Sequence, residues 1–391
     1  MDKSNAVLKE AMQMVYNDRK PLKREIISQV RTETVNDGAF CEVWFMTKGC
    51  THDAEGGCTM CNYGKGYDVD EAAVVQELAA QIGNLPEKLQ ELIVTPSGSM
   101  LDDAEVSEAM RKRIFGLLNH TQCEDFYIET RADSITREKL ESLRGCVNAK
   151  RFNIEIGAES CDDWILRNCI NKKLTCQDLQ EAVDMIHAAR MYVYLNIGIG
   201  IPFLTERCSI EYAKRSIRKA FAMGCDKVVL FPYHVKPGTL LWWLWKHELY
   251  SCCSLWAIPE VLSGFTADEL ERIHISWYRN YYTDKSKIVS SPAVEEENLE
   301  QVLLLLDEYK NHPGIGSLTP LMELQSEGRT QWALKIKKQS PEIEPDRVRG
   351  LYTLLADAFG ISREELDEEW KIMEITLGRR GFINGWEEFE C

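Results

Sequence analysis

Three cysteines crowd one glycine-rich stretch of the sequence. Cys50, Cys58 and Cys61 lie within Lys48–Tyr67, KGCTHDAEGGCTMCNYGKGY, at the spacing Cys-x7-Cys-x2-Cys. A Cys-x2-Cys pair lets two thiolates point at one centre, and a cysteine eight positions earlier can close the same site. Gly49, Gly56, Gly57, Gly64 and Gly66 punctuate the stretch, and glycine lets a backbone wrap closely around a compact object. Three readings compete. The thiols could be incidental and buried. A structural zinc ion usually takes four Cys or His ligands, and His52 could be the fourth. A [4Fe–4S] cluster ordinarily takes four cysteines, so three leave one iron open to a small molecule.

The elements around this stretch must hold it in place. From residue 40 to about 247, short apolar runs alternate with helical patterns. The runs are Cys41–Met46, Leu89–Thr95, Asp125–Thr130, Arg151–Ile156, Tyr192–Ile199 and Lys227–Phe231. Between them Val69–Gln81, Asp103–Leu118, Thr136–Leu143, Thr175–Arg190 and Cys208–Met223 repeat apolar residues at helical spacing. Asp102 and Glu105 have capping-box spacing, and Gly224 suits a position just past a helix end. Strands alternating with helices imply a parallel sheet. Periodicity leaves a partial barrel and an open doubly wound sheet equally available. Either architecture puts ligand chemistry at the C-terminal ends of the strands, where the cysteine stretch falls. Thr266–Glu269 reads as a capping box opening a helix rich in Trp, Tyr and Ile, and Ser362–Glu365 as another. The expected organisation is a helical N-terminal extension over 1–38, a barrel over 39–265 and a mainly helical region over 266–391, serving substrate recognition or a homodimer contact.

These motifs resemble the radical S-adenosylmethionine (SAM) superfamily, in which a three-cysteine loop follows the first strand of a six-unit barrel. The usual family spacing is Cys-x3-Cys-x2-Cys; here the first gap is longer. Further stretches resemble the branch of the radical SAM enzyme of archaeosine biosynthesis, related to the Elongator catalytic subunit. They are GGCTMCNYG, PSGSMLDD, IETRAD, IEIGAES, CINKKLT, GIPFLTE and YHVKPGTLLWWLW, in family order over about 45–260. The resemblance implies an α/β fold, a partial (β/α)6 TIM-type barrel. It implies a [4Fe–4S] cluster on Cys50, Cys58 and Cys61, with SAM on the open iron. An electron would then cleave SAM to methionine and a 5′-deoxyadenosyl radical that abstracts hydrogen from the substrate. It also implies roles at the strand ends. Met60 would pack on adenine, and Ser97-Gly98 would meet the methionyl amino group. Glu129 and Arg131 would contact SAM or substrate, Arg131 as a bidentate carboxylate clamp. Glu159 would take ribose hydroxyls, and Asn196 lies on a glycine-rich strand against a ligand. Glu155 would face the barrel interior, functional or else paired with Arg131 or Arg151.

The reaction nearest by resemblance is C–N bond cleavage in an amino-acid adduct of a modified base, as in archaeosine-type tRNA modification. Peptide or specialised-metabolite chemistry and a non-catalytic zinc scaffold are the alternatives. Nothing in the chain suggests a built-in reductant, so an external ferredoxin or flavodoxin is implied. With Lys plus Arg at 46 and Asp plus Glu at 62, the 391 residues carry −16. That charge opposes direct capture of nucleic acid, so a small-molecule or nucleoside-adduct substrate is expected, with nucleic acid only through a partner. No run of about 18 apolar residues marks a membrane span, and no signal-peptide core opens the chain. A cytoplasmic, thiol-reducing location is expected. No cysteine lies between Cys253 and Cys391, so a second cluster or zinc site there is not expected. Cys252-Cys253 reads as structural, and Trp242, Trp243, Trp245, Tyr250 and Trp256 read as packing.

Overall fold

The computed structural model describes residues 4–20, 26–35, 38–64, 69–83, 85–86, 88–279 and 288–379; Gly66 and Cys391 lie outside them. Eight strands form one sheet: β1 (Ser28–Val35), β2 (Gly38–Phe45), β3 (Lys88–Pro96), β4 (Gln122–Thr130), β5 (Asn148–Glu159), β6 (Tyr192–Ile199), β7 (Lys227–Pro232) and β8 (Ile273–Ile275). Their spatial order is their chain order. β1 and β2 pair antiparallel, and every later pair is parallel. A doubly wound sheet reverses its strand order at a switch point. This one never does, so its connecting helices stay on one face and the sheet curls into a half-barrel.

All six strands expected from the sequence are present, and two more join them. The segment 1–38 is not helical throughout. The helix Ala6–Asp18 gives way to β1, which closes a hairpin with β2. The helix opened by the Thr266–Glu269 capping box ends at Leu270. β8 follows it directly, an apolar–His–apolar triplet on the sheet edge. The helix after β3 starts later than its pattern suggests. Ser107 caps it by accepting from Met110 N, and Glu105 is used elsewhere.

The two faces of the sheet differ as the period of two requires. On β4, Phe126 and Ile128 are fully buried in the hydrophobic core. Asp125, Tyr127 and Glu129 alternate with them and face the concave side. In register there, Asp125 lies beside Arg151, and Glu129 beside Glu155. Asp125 accepts from Arg151 Nε at 2.6 Å and from Asn153 Nδ2 at 3.2 Å.

The helices Pro345–Phe359 and Arg363–Gly378 close over the segment that follows β5. Tyr352 Oη donates to Asn168 O at 2.6 Å, and Trp164 Nε1 donates to Met373 O at 2.9 Å. Arg167 and Glu369 form a buried ion pair at 2.5 Å. Asn5, capping the first helix, donates to Asn168 Oδ1 at 2.9 Å. The first helix and the last two described helices thus brace the connection that rests on the cysteine loop.

Candidate active site

The cysteine loop leaves β2 at the C-terminal edge of the sheet, and buried polar contacts set its shape. Asp53, on the short helix Thr51–Ala54, is buried and forms an ion pair with Arg19, at the end of the first helix. Asp53 also accepts from Gly64 N at 2.5 Å. A Cβ on Gly57 would sit 2.1 Å from Asp53 Oδ1, and one on Gly64 would sit 2.2 Å from Oδ2. These glycines make room for a carboxylate of the loop itself rather than for a bound group. Thr59 then fastens the far side. Its N and Oγ1 donate to Ile170 O and Cys169 O at 3.0 Å, and its carbonyl accepts from Leu241 N at 2.9 Å.

The three thiols come within electrostatic reach of one another. Cys61 acts on both Cys50 and Cys58, and Cys50 on Cys58. None of the described cysteines is in a disulfide. Burial pushes the Cys50 thiol up to about 12 and raises Cys58 and Cys61 as well. Lys172 opposes this at Cys58, and Lys236 with Arg19 at Cys61; at Cys50 the Glu105 carboxylate adds to the rise and Arg131 opposes it. Thiols that burial keeps protonated become thiolates when a metal takes the place of the proton.

Among the described residues, no three His, Cys, Asp or Glu side chains are placed to share one metal ion. His52 does not complete such a set. Its Nε2 bonds Asn171 O at 3.0 Å, and burial with Lys172 and Arg131 nearby lowers its pKa to about 4. A four-iron cluster makes a different demand, because each thiolate meets its own iron on a separate corner. Three free thiols on one pinned loop fit that donor set.

The strand-end residues separate into two groups. Glu159 ends β5 beyond a register shift and holds φ at 69°, a left-handed conformation that costs a non-glycine residue free energy. It accepts from Lys172 Nζ at 3.2 Å and from Tyr233 Oη at 3.4 Å. Tyr233 lies against Gly198, where a Cβ would fall 2.4 Å from its ring. Met60 is buried in the core. Ser97 bonds through its backbone, donating to Phe45 O and accepting from Thr47 Oγ1, both at 2.9 Å.

Deeper in the half-barrel, Glu129 accepts from Thr95 Oγ1. Glu155 is in register with Glu129 on one side and lies close to Asn196 on the other. Burial and the Glu129 carboxyl push Glu155 up to about 8, and burial raises Glu129 too. Asn196 Oδ1 is buried without a hydrogen-bond partner. Of the two alternatives for Glu155, pairing with Arg131 or Arg151 does not form. Arg151 pairs with Asp125, and Arg131 with Asp102, Glu105 and Asp133.

Sequence reasoning missed Arg19, Asp53, Asp102, Glu105, Lys172 and Tyr233 as site residues. Asp102, Lys172 and Tyr233 fall inside family-like stretches, which was the available signal; Glu105 lies two residues past one. The aromatic group packs. Trp243 stacks on His247 at 4.1 Å and tilts against Phe359 at 5.2 Å, and Trp256 is buried. Cys252 and Cys253 line a separate cavity of about 490 Å³ with Trp245, Glu206 and Trp332; no residue of the cysteine loop lines it.

No protein-family model matches the chain. Archaeosine synthase subunit beta of Methanosarcina acetivorans is 31% identical over 245 residues, covering 61% of this chain and 68% of that protein. The subunit beta of Thermococcus kodakarensis is 33% identical over 167 residues, covering 42% of this chain and 51% of that protein. An uncharacterised protein of Methanocaldococcus jannaschii is 28% identical over 225 residues, 55% of this chain and 61% of that one. The matched regions thus span between half and about two thirds of these relatives. Among solved structures, Elp3 of Methanocaldococcus infernus with an N-terminal deletion is 18% identical at a TM-score of 0.45, covering 62% of this chain and 59% of that one. Queuine lyase from Clostridium spiroforme, bound to SAM and queuine, is 18% identical at 0.42, covering 57% and 92%.

Proposed function

The chain belongs to the radical SAM superfamily, in the branch of archaeosine synthase subunit beta, and we propose that it cleaves SAM reductively at a [4Fe–4S] cluster on Cys50, Cys58 and Cys61. The observation that carries this is the pinned cysteine loop after β2, which brings three free thiols within electrostatic reach of one another. SAM and the cluster are the cofactors of this superfamily. When bound, the cluster supplies one electron to SAM, whose C5′–S bond breaks to give methionine and the 5′-deoxyadenosyl group that takes hydrogen from substrate.

The chain's own residues divide the remaining work. Ser97 and Gly98 offer compact backbone to the methionyl end, and Met60 an apolar surface to the adenine. Glu159, oriented by Lys172 and Tyr233, is placed to accept from ribose hydroxyls. Glu129, Glu155 and Asn196 form a polar tier deeper in the half-barrel, facing the substrate side. Burial holds both carboxyls toward the neutral form, and Glu155, pushed up to about 8, can donate a hydrogen bond at neutral pH.

The substrate class in this reading is an amino-acid adduct of a modified base, with C–N bond cleavage as the outcome. The relatives are named as subunits of archaeosine synthase, which supports a tRNA-modification setting and a companion chain. With a net charge of −16, the companion is the better candidate to hold RNA. Ferredoxin or flavodoxin would supply the electron.

The experiment is anaerobic iron–sulfide reconstitution of the wild type and of Cys58→Ala, followed by SAM turnover with candidate compounds. The wild type is expected to become brown and bind iron, and the variant to lose both cluster and turnover. Amino-acid-linked 7-deazaguanine compounds are expected to raise turnover; stimulation only by peptides would overturn the substrate assignment.

A further inference from the structure

Arg131 stands where the loops after β2, β3 and β4 meet, and its guanidinium touches all three. Nη1 donates to Cys50 Sγ at 3.4 Å and to Glu105 Oε1. Nη2 donates to Asp102 Oδ2 at 2.6 Å and to Thr51 Oγ1 at 3.0 Å. Nε donates to Asp133 Oδ1 at 3.1 Å. A guanidinium has five N–H groups in a fixed fork, and these contacts engage every one. None is left to hold the carboxylate of SAM.

The surroundings are built to keep that arrangement. The Glu105 carboxylate is fully enclosed. Besides Arg131, it accepts from Thr51 N at 2.8 Å and Ser99 N at 2.6 Å. Gly98 makes the space: a Cβ there would lie 2.0 Å from Glu105 Oε2. Thr51 Oγ1 donates to Asp102 at 2.7 Å, so the residue next to Cys50 is tied into the same cluster. With Asp102, Glu105 and Asp133 around it, Arg131 adds no excess positive charge to the site. What remains specific is one directed N–H aimed at one sulfur.

We propose that Arg131 is a positioning residue that fixes Cys50 and sets the reduction potential of the cluster through its N–H···S bond, and is not a clamp for SAM. This rests on the cluster assignment above. Reduction adds negative charge to a cluster and its thiolates. A hydrogen bond to a ligand sulfur therefore favours the reduced form and raises the potential. Asp102 draws on the same guanidinium through Nη2 while Cys50 takes an N–H of Nη1, so neutralising Asp102 leaves the remaining donations stronger and also removes a negative charge near the cluster.

The test uses the reconstituted full-length chain as wild type, Arg131→Lys and Asp102→Asn. Iron content, the midpoint potential from an EPR-monitored redox titration and SAM affinity by calorimetry are measured for each. Lysine keeps the charge but cannot span sulfur, Glu105 and Asp102 with a fixed fork. Arg131→Lys is expected to hold a cluster with a more negative midpoint, and to bind SAM within about two-fold of wild type. Asp102→Asn is expected to shift the midpoint upward. An unmoved midpoint in Arg131→Lys with SAM binding weakened about ten-fold or more would overturn the inference and make Arg131 a SAM clamp. If Arg131→Lys takes up no cluster, Asp102→Asn measured against the charge control Asp133→Asn decides: a midpoint raised more by Asp102→Asn supports the inference, and equal or absent shifts overturn it. A wild-type chain that takes up no iron overturns the cluster assignment, and this inference with it.

Discussion

Glu129 and Glu155 meet across neighbouring strands without a cation between them, and burial makes both costly to ionise. Glu155, pushed up to about 8 from an ordinary 4.5, keeps a proton in the folded chain that the unfolded chain has already lost. Stability therefore falls as pH rises through the window between those two values, and its full contribution is present only below it. The slope is about 1.4 kcal/mol per pH unit for one group. Glu155→Gln removes that loss. Its unfolding midpoint is expected to rise relative to wild type, by more at pH 8 than at pH 5; a gain equal at both pH values would count against a neutral Glu155. At this scale the sequence disclosed most where spacing is local. Cys50, Cys58 and Cys61 stood out because their chemistry is legible within one loop. Asp102 and Glu105 were hidden by a competing local explanation, since their spacing also fits a helix cap. Asp53 acts through Arg19, 34 positions away, and no local pattern marks such a contact.

Beyond the single turn Thr51–Ala54 the cysteine loop has no regular structure, so its shape depends on Asp53. Arg19 and Asp53 have side chains only 4% and 2% exposed. Removing one partner strands the other charge, at a cost of about 3–5 kcal/mol. Asp53→Ala should lower stability by that order in denaturant titration and diminish iron uptake. Unchanged uptake at full occupancy would show that the loop holds its form without the pair. The strands that place the loop were legible from apolar runs. β1, SQVRTETV, was not: as an antiparallel edge strand it alternates mostly polar residues. β8 has three residues, too few for a period to register. The helix opened by the Thr266 capping box runs shorter than expected for a related reason, since a capping box marks where a helix starts and not how long it runs.

Over the whole molecule, strand order decided what periodicity left open, because a sheet that never reverses order curls instead of winding both ways. No helix among the described residues is long and apolar enough to cross a membrane. The charge of −16 bears on the substrate. Purified chain alone is expected to bind tRNA weakly, with little dependence on salt. Fluorescence anisotropy at two salt concentrations measures this, and tight, steeply salt-dependent binding would show a phosphate-binding face on this chain. The measurement that bears most directly on function is the formation of 5′-deoxyadenosine from SAM by anaerobically reconstituted, reduced protein. Cys50, Cys58 and Cys61 acting as cluster ligands requires that 5′-deoxyadenosine and methionine form, and that Cys58→Ala form none. Reduced protein carrying a full complement of iron and yet making no 5′-deoxyadenosine would contradict it.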